Sequence, residues 1–383
     1  MKITLNHNKF AKYLQYTSRA VSHKPNIPIL SNVKFEVTKN DLQLSATNLE
    51  MGIGMWIPGV VQEEGKVTVS AKYIADFVAA TTADKVDISL EDNVLLVQTA
   101  KSKANFTIIP ADEFPVLPTL PENKLFSISA KEFITTLEKI TFSCSTDLSA
   151  GKIQQSGVLF ELDEEKDNEI SFVGLDGFRL SKRNCEVKDL NKAGVDSQII
   201  VPARYLNELV KIISDFENLE EINVYLSENK SQIIFQFEEV EFSIRLLEGP
   251  YPDYKRIMPD SYSYSFQVKK SELEDALKVI STFARSNLAY KTLFDMDLEN
   301  SLVKFKSVVN EVGENETIVE VENIQGESDL NTAYNLRYLQ DVVSHMQGQK
   351  IKFESKGHLA ASVFRDLSDE NYVHLLMPLR REV

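Results

Sequence analysis

Gly157-Val-Leu-Phe-Glu-Leu162, a polar turn over Asp163 to Asn168, and Glu169-Ile-Ser-Phe-Val-Gly-Leu-Asp-Gly-Phe-Arg-Leu-Ser-Lys-Arg-Asn-Cys-Glu-Val187 decide how this chain is read. Val158, Phe160 and Leu162 alternate with their neighbours, as a strand with one buried face requires. Ile170, Phe172 and Gly174 resume the alternation after the turn. Asp176-Gly177 breaks it, and Phe178, Leu180 and Arg183 open a third strand. The pattern occurs twice more. Asn32-Val-Lys-Phe-Glu-Val37, a turn at Lys39-Asn40-Asp41 and a strand from Leu42 form an earlier copy. Thr292 to Leu298, a turn at Glu299-Asn300 and Leu302 to Val309 form a later, looser one. A strand, turn, strand unit written three times predicts a repeated domain.

The length of 383 residues suits three such domains, each large enough for a core of its own. Boundaries are expected at 1–122, 123–252 and 253–383, next to the Pro-rich connections Pro110-Ala-Asp-Glu-Phe-Pro-Val-Leu-Pro118 and Gly249-Pro-Tyr-Pro-Asp-Tyr-Lys-Arg-Ile-Met-Pro259. Only 12 prolines and 14 glycines argue against long disordered linkers. No segment approaches the ~20 apolar residues of a membrane span. The N-terminus carries no secretory apolar region, so a cytoplasmic location is expected. Cys144 and Cys185 lie in different apolar elements without metal spacing, and read as small buried hydrophobes.

Within each third the order is strand, helix, three strands, twice over. Helices are expected over 7–22, 71–81, 130–142, 203–213, 271–285 and 335–345. With no parallel βαβ rhythm, the fold class is α+β with antiparallel sheets. The net charge of −15 disfavours nucleic acid at long range. Its distribution points the other way. Residues 1–35 contain no Asp or Glu, yet carry Lys2, Lys9, Lys12, Arg19, Lys24 and Lys34. In the first helix Phe10, Leu14, Thr17 and Val21 form the apolar face, and Lys9, Lys12, Tyr16 and Arg19 the opposite one. Lys12 and Arg19 are seven residues apart, two turns on one face. Arg204 and Lys211 repeat that spacing, as do Lys278 and Arg285. Solvated helices often carry such pairs. If equivalent helices of repeated domains face one way, however, their cations form a common surface that holds a duplex by its phosphates without sequence preference.

An enzyme is the rival reading. His7, His23, His345, His358 and His374 are scattered singly, without metal-binding spacing. There is no P-loop, and Gly52-Ile-Gly54 lacks a third glycine and opens no helix. Asp176 could act as a base at a strand end, but Asp-Gly is first of all a turn. No nucleophile, base and orienting group assemble, so neither catalytic residues, metal nor cofactor are expected. A scaffold of repeated α+β domains that binds only proteins is the second alternative.

Five motifs then carry a resemblance over essentially the whole length: Pro28-Ile-Leu-Ser-Asn-Val33, Pro110-Ala-Asp-Glu-Phe-Pro115, Gly174-Leu-Asp-Gly-Phe-Arg-Leu180, Tyr251-Pro-Asp-Tyr-Lys-Arg-Ile-Met-Pro259 and Leu376-Met-Pro-Leu-Arg380. The chain resembles the bacterial sliding clamps, the beta subunits of DNA polymerase III. The resemblance implies three clamp domains, each with two helices on antiparallel sheets, and a head-to-tail homodimer closing into a ring around double-stranded DNA. It implies a processivity factor without an active site, whose partners are the replicative polymerase, the clamp loader and other proteins bearing clamp-binding motifs. Helices would line the hole, with Lys12, Arg19, Lys24, Lys139, Lys152, Arg204, Lys211, Lys278 and Arg285 as candidate DNA contacts. A cleft for partner peptides would be walled by Leu175, Gly177, Phe178, Arg179, Leu180, Pro252, Arg256, Ile257, Asn335, Tyr338, Leu375, Met377, Pro378, Leu379 and Arg380. Phe106, Ile108 and Phe283 are the candidates for the dimer contact. Two departures touch the cleft: Phe178 stands where clamps often have His, and Arg381-Glu382-Val383 extends the usual end.

Overall fold

The computed structural model describes residues 1–22, 26–149, 151–163, 166–284, 290–309 and 313–381. Its six α-helices among these residues are α1 (His7–Thr17), α2 (Ala71–Ala80), α3 (Ala130–Thr141), α4 (Ala203–Ile213), α5 (Lys270–Ala284) and α6 (Leu336–His345). Each begins at the residue after a strand, as at Lys2–Asn6, Gly65–Ser70, Phe126–Ser129, Gln198–Pro202, Tyr264–Lys269 and Leu330–Asn335. The sequence period thus switches from two to 3.6 without an intervening loop. Asn6 and Asn335 make two of these switches, their side chains accepting from the backbone N–H of Lys9 and Arg337. Such caps satisfy an N–H that the first turn leaves free.

The chain packs into two compact units, Met1–Ile134 with Val187–Gly194 and Tyr205–Leu246, and Thr135–Glu186 with Val195–Arg204 and Leu247–Val383. The middle repeat is divided between them. Its strands Phe126–Ser129, Glu221–Leu226, Gln232–Phe237 and Val240–Arg245 complete a twelve-stranded sheet in the first unit. The seam there pairs Val240–Arg245 with Met51–Glu63, antiparallel, from Val240↔Met55 to Ile244↔Met51. Its other strands, Gly157–Leu162, Glu169–Leu175, Arg179–Glu186 and Gln198–Pro202, join a nine-stranded sheet in the second unit. That seam pairs Arg179–Glu186 with Tyr372–Leu376, from Arg179↔Leu376 to Arg183↔Tyr372. A four-stranded sheet ending on Gly313–Glu320 completes the second unit. All of these pairings are antiparallel.

The opening stretch differs from expectation in one respect. Gly157 to Phe160 and Ile170 to Leu175 are buried on both faces rather than one. Phe160 and Phe172 meet on one face with tilted rings, centroids 4.6 Å apart. On the other, Leu159, Val173, Leu175, Leu180 and Leu375 form one cluster with Tyr251 and Tyr254 of the second Pro-rich connection. The connection lies over the sheet as a lid, so residues that would face water are covered. Cys144 and Cys185 are buried and not joined in a disulfide, as expected.

Candidate functional site

The cleft residues come from three distant stretches, and the second unit joins them through backbone pairing. Leu175 pairs with Leu180, and Leu180 with Leu375, across the sheet. Beyond the strand end the Met377 N–H donates to the Phe178 carbonyl at 2.8 Å, and the Leu379 N–H to that of Ala333 at 2.7 Å. The chain's C-terminal end is thereby held between the Asp176-Gly177 turn and the start of α6. Gly177 has a φ of +90°, a conformation that glycine enters without Cβ strain. Asp176 closes the turn, accepting from the N–H groups of Phe178 (2.9 Å) and Arg179 (3.0 Å). It is a turn residue bound to Arg179, not a poised base.

A set of exposed apolar groups crowns this arrangement. Phe178 is 57% exposed, Ile257 46% and Met377 37%, and the Phe178 ring stacks near Tyr338 with centroids 6.4 Å apart. Beneath them Leu175, Leu180 and Leu375 are buried at 4%, 0% and 2%. These three are core under the cleft, and cannot be the surface that meets a ligand in this state. Pro252, Pro378 and Leu379 are half-buried, and Arg256 and Arg380 exposed. Arg256 pairs with Asp253 at 2.7 Å. Asn335 spends its side-chain oxygen on capping α6.

Arg179, a candidate wall of the cleft, is tied into the fold. Its guanidinium binds Asp176 and Asp341 and lies 4.4 Å over the Tyr338 ring and 5.4 Å over Phe142. It therefore locks Tyr338 in place, a positioning task that suits a planar, stacking cation. Behind it Phe142 stacks on His345 at 4.0 Å and His374 at 5.5 Å. Burial, then the Arg179 charge, holds His374 well below the usual histidine pKa, so this ring is neutral. Asp341, Phe142 and His374 were not among the sequence candidates. Asp341 had a signal, being three residues beyond Tyr338 on α6 and so on its face; the other two had none.

The basic candidates divide sharply. In the first unit Lys12 donates to the Asp215 carbonyl at 2.8 Å and lies 4.9 Å over Phe216. Arg19 and Lys211 converge on one carboxylate, Glu208, at 3.4 and 2.6 Å. Tyr16, expected beside these cations on the open face, is instead buried. With Tyr13 it packs on Phe216, and the two hydroxyls donate to Asp215 and Glu239. Arg204 and Lys278 are exposed on their helices, and Lys152 is exposed 3.5 Å from Asp147. Lys139 is a correction: at 1% exposure it is a core residue. Its ammonium sits 2.7 Å from Asp369 and 3.7 Å from Asp366, and Arg183 shares Asp369 at 2.8 Å. No phosphate can reach it. Lys24 and Arg285 lie outside the described residues, as do Glu382 and Val383 of the extension. Arg381, the extension's first residue, pairs with Asp295.

Among the open strand edges of the described residues, two lie beside the dimer candidates. Lys103–Ile109 pairs along one side with Val94–Gln98 but on the other only at Ile108 and Ile109. Among the described residues Gly313–Glu320 pairs with Leu302–Val309 alone. Phe106 and Ile108 are half-buried on the first of these strands, Phe106 edge-on to Phe77. Phe283 is half-buried on α5, and a Cβ placed on Gly313 would lie 3.9 Å from its ring.

Among the described residues no group of three His, Cys, Asp or Glu could hold a metal ion, and no helix is long and apolar enough to cross a membrane. A repeated antiparallel α+β chain, with exposed cations on its helices and exposed aromatic and Met side chains beside a C-terminal tail, defines a class of DNA-clamp-like proteins. Three family models match in succession, those for the N-terminal, central and C-terminal domains of the DNA polymerase III beta subunit, over residues 1–118, 127–253 and 255–380. The chain belongs to that family, the bacterial sliding clamps. It is 24% identical to the beta sliding clamp of Staphylococcus epidermidis and 25% to that of Staphylococcus aureus, with 99% of each chain covered. Its fold superposes on the DNA polymerase sliding clamp of Bacillus subtilis with a TM-score of 0.92 at 22% identity, covering 100% of both chains. A Pseudomonas aeruginosa clamp solved with griselimycin gives a TM-score of 0.90 at 23% identity over 99% of both.

Proposed function

We propose that this protein is a DNA sliding clamp: a head-to-tail homodimer that encircles duplex DNA and tethers the replicative polymerase and other partners. The observation that carries the reading is the convergence of Phe178, Tyr338 and Met377 from three stretches, in a chain of this family. Exposed aromatic and Met side chains over a packed floor suit a short peptide with apolar anchors. Asp176 and Asp341, both paired to Arg179, hold the floor of that cleft rigid.

DNA is held loosely in this account. Arg19 and Lys211 are engaged by Glu208 through surface pairs worth only about 0–1 kcal/mol each, and Lys12 only by the Asp215 backbone carbonyl, so phosphates can exchange with them at little cost. Binding is then weak, blind to sequence and steeply salt-dependent, and retention comes from topology. The ring closes through a heterologous contact between the two open strand edges, flanked by Phe106, Ile108 and Phe283. The protein acts as an accessory subunit and needs no chemistry of its own.

The test is retention after loading. The protein should stay on closed circular duplex and leave the same duplex once it is linearised; equal loss from both forms overturns the reading. Light scattering should give twice the 43.4 kDa chain mass. Met377→Ala combined with Tyr338→Ala should abolish partner-peptide binding without changing that mass.

A further inference from the structure

Gly52-Ile-Gly54, too short for a nucleotide loop, has a different use. Both glycines lie at the first unit's seam, Gly52 opposite Ser243, and Gly54 opposite Ser45 and Glu241. Residues directly opposite one another share a sheet face. Gln43 and Trp56 form the next row of that face, and Ile234 continues the Gly52 row. Across it runs the first Pro-rich connection. A Cβ on Gly52 would sit 2.5 Å from Leu117 Cδ2 and 2.8 Å from Ser243 Oγ, and one on Gly54 3.2 Å from the Trp56 ring. Gly52 thus lets Leu117 settle onto the sheet, and beside it a cavity of 370 Å³ lined by Gly54 stays open beneath the connection, within the usual size of a ligand pocket.

The charge inside is unbalanced. Lys34 lines the cavity, but its ammonium is taken by Glu36 at 2.5 Å. Among the described residues the Glu241 carboxyl has no hydrogen bond or ion pair, and burial pushes its pKa up. A half-buried carboxylate without a partner gains from any cation brought to it. An indole face nearby attracts the same cation. Leu117 and Ile234 complete the lining with aliphatic surface.

We propose that this cavity binds a peptide segment that sets an arginine or lysine side chain against Glu241 and Trp56, and an aliphatic neighbour against Leu117 and Ile234. The site lies wholly in the first unit and shares no residue with the Phe178–Tyr338–Met377 cleft. It stands whether or not the clamp reading does.

Trp56 is the chain's one tryptophan, so its emission reports this cavity whatever else a peptide visits. The full chain is titrated with acetyl-Leu-Arg-Leu-amide, with the Gln counterpart, and with agmatine alone. A saturable emission change is expected for the Arg peptide in the millimolar range or tighter, a range that corresponds to about 4 kcal/mol or more of binding. Binding should be at least about tenfold weaker for the Gln peptide, and for the Arg peptide with Glu241→Gln. Gly54→Val, which crowds the Trp56 ring, should remove the response while leaving the far-ultraviolet circular dichroism unchanged. No saturation overturns the proposal, and so does an equal response to the Arg and Gln peptides or an unchanged midpoint in Glu241→Gln. Agmatine matching the Arg peptide would replace the peptide by a small amine and overturn the assignment of a peptide.

Discussion

Each unit is sewn together at one antiparallel seam between neighbouring repeats, and the two seams are furnished differently. At the second, both faces are filled. Leu180 and Leu375 stand under Tyr251 and Tyr254. Ser181 and His374 join Ser143 and Tyr372 in a buried hydroxyl network. Lys139, Arg183 and Asp369 add a buried ionic triad. At the first seam one face is equally full, with Met51, Ile53 and Met55 opposite Ile244, Phe242 and Val240. On the other face Leu117 lies against Gly52, and a cavity opens over Gly54, Ser243 and a lone Glu241. One pairing geometry thus serves two ends. Side chains on both faces make a rigid base for the cleft, whereas glycines on one face make room.

The comparison can be broken most forcefully at the ionic triad. Asp369→Ala leaves Lys139 and Arg183 buried without their shared carboxylate. Losing one member of such a set costs about 3–5 kcal/mol, read as a lower urea midpoint of far-ultraviolet circular dichroism. A midpoint within error of the parent would show that the seam is not held by these charges. The opposite operation is Gly52→Ala, which drives a methyl into Leu117 and Ser243 and should cost about 1–3 kcal/mol as overpacking. Here the Trp56-reported transition should move, since Trp56 lines the crowded cavity; a neutral or stabilised variant means that the connection lifts away freely.

Acid separates the seams next. His374 is held neutral in the folded chain, with its pKa below the usual value, so the unfolded chain binds the extra proton. Its contribution is complete above the unfolded pKa of about 6.5 and falls as pH drops below it, by at most about 1.4 kcal/mol per unit. Asp369 also has a lowered pKa, burial opposing and the bonds from Arg183 and Lys139 prevailing. Its share is lost only below the unfolded value of about 3.9. The urea midpoint should therefore decline between pH 6.5 and 5 in the parent and stay flat in His374→Phe. The smallest effect is expected at Glu241. Its raised pKa means that the folded chain holds the ionised form at a disadvantage above the unfolded pKa of about 4.3. Glu241→Gln should accordingly be slightly stabilising at neutral pH, the gain vanishing below pH 4. Destabilisation instead would reveal a partner for that carboxylate.

Periodicity made the six helices legible to within a residue or two at most ends, because the switch from period two to 3.6 is written locally. The Asp176-Gly177 turn was equally plain. Burial of individual polar residues was not. Tyr16 reads as solvent-facing on α1, yet Phe216 and Asp215, some two hundred positions later, bury it. Lys139 reads as one more helix cation until Asp366 and Asp369 close over it. Arg179 reads only as one more wall of the cleft, and its two carboxylates make it a clamp on Tyr338.

The sequence by itself determined the threefold repeat, the antiparallel α+β class and, through five motifs, the family, since each of these depends on order and spacing along the chain. Only the tertiary structure decided that the middle repeat is shared between two units, which cations are buried and which exposed, and that a cavity opens beside the seam over Gly54. Those outcomes depend on which distant strands pair and which side chains meet across the pairing, and no local period records them.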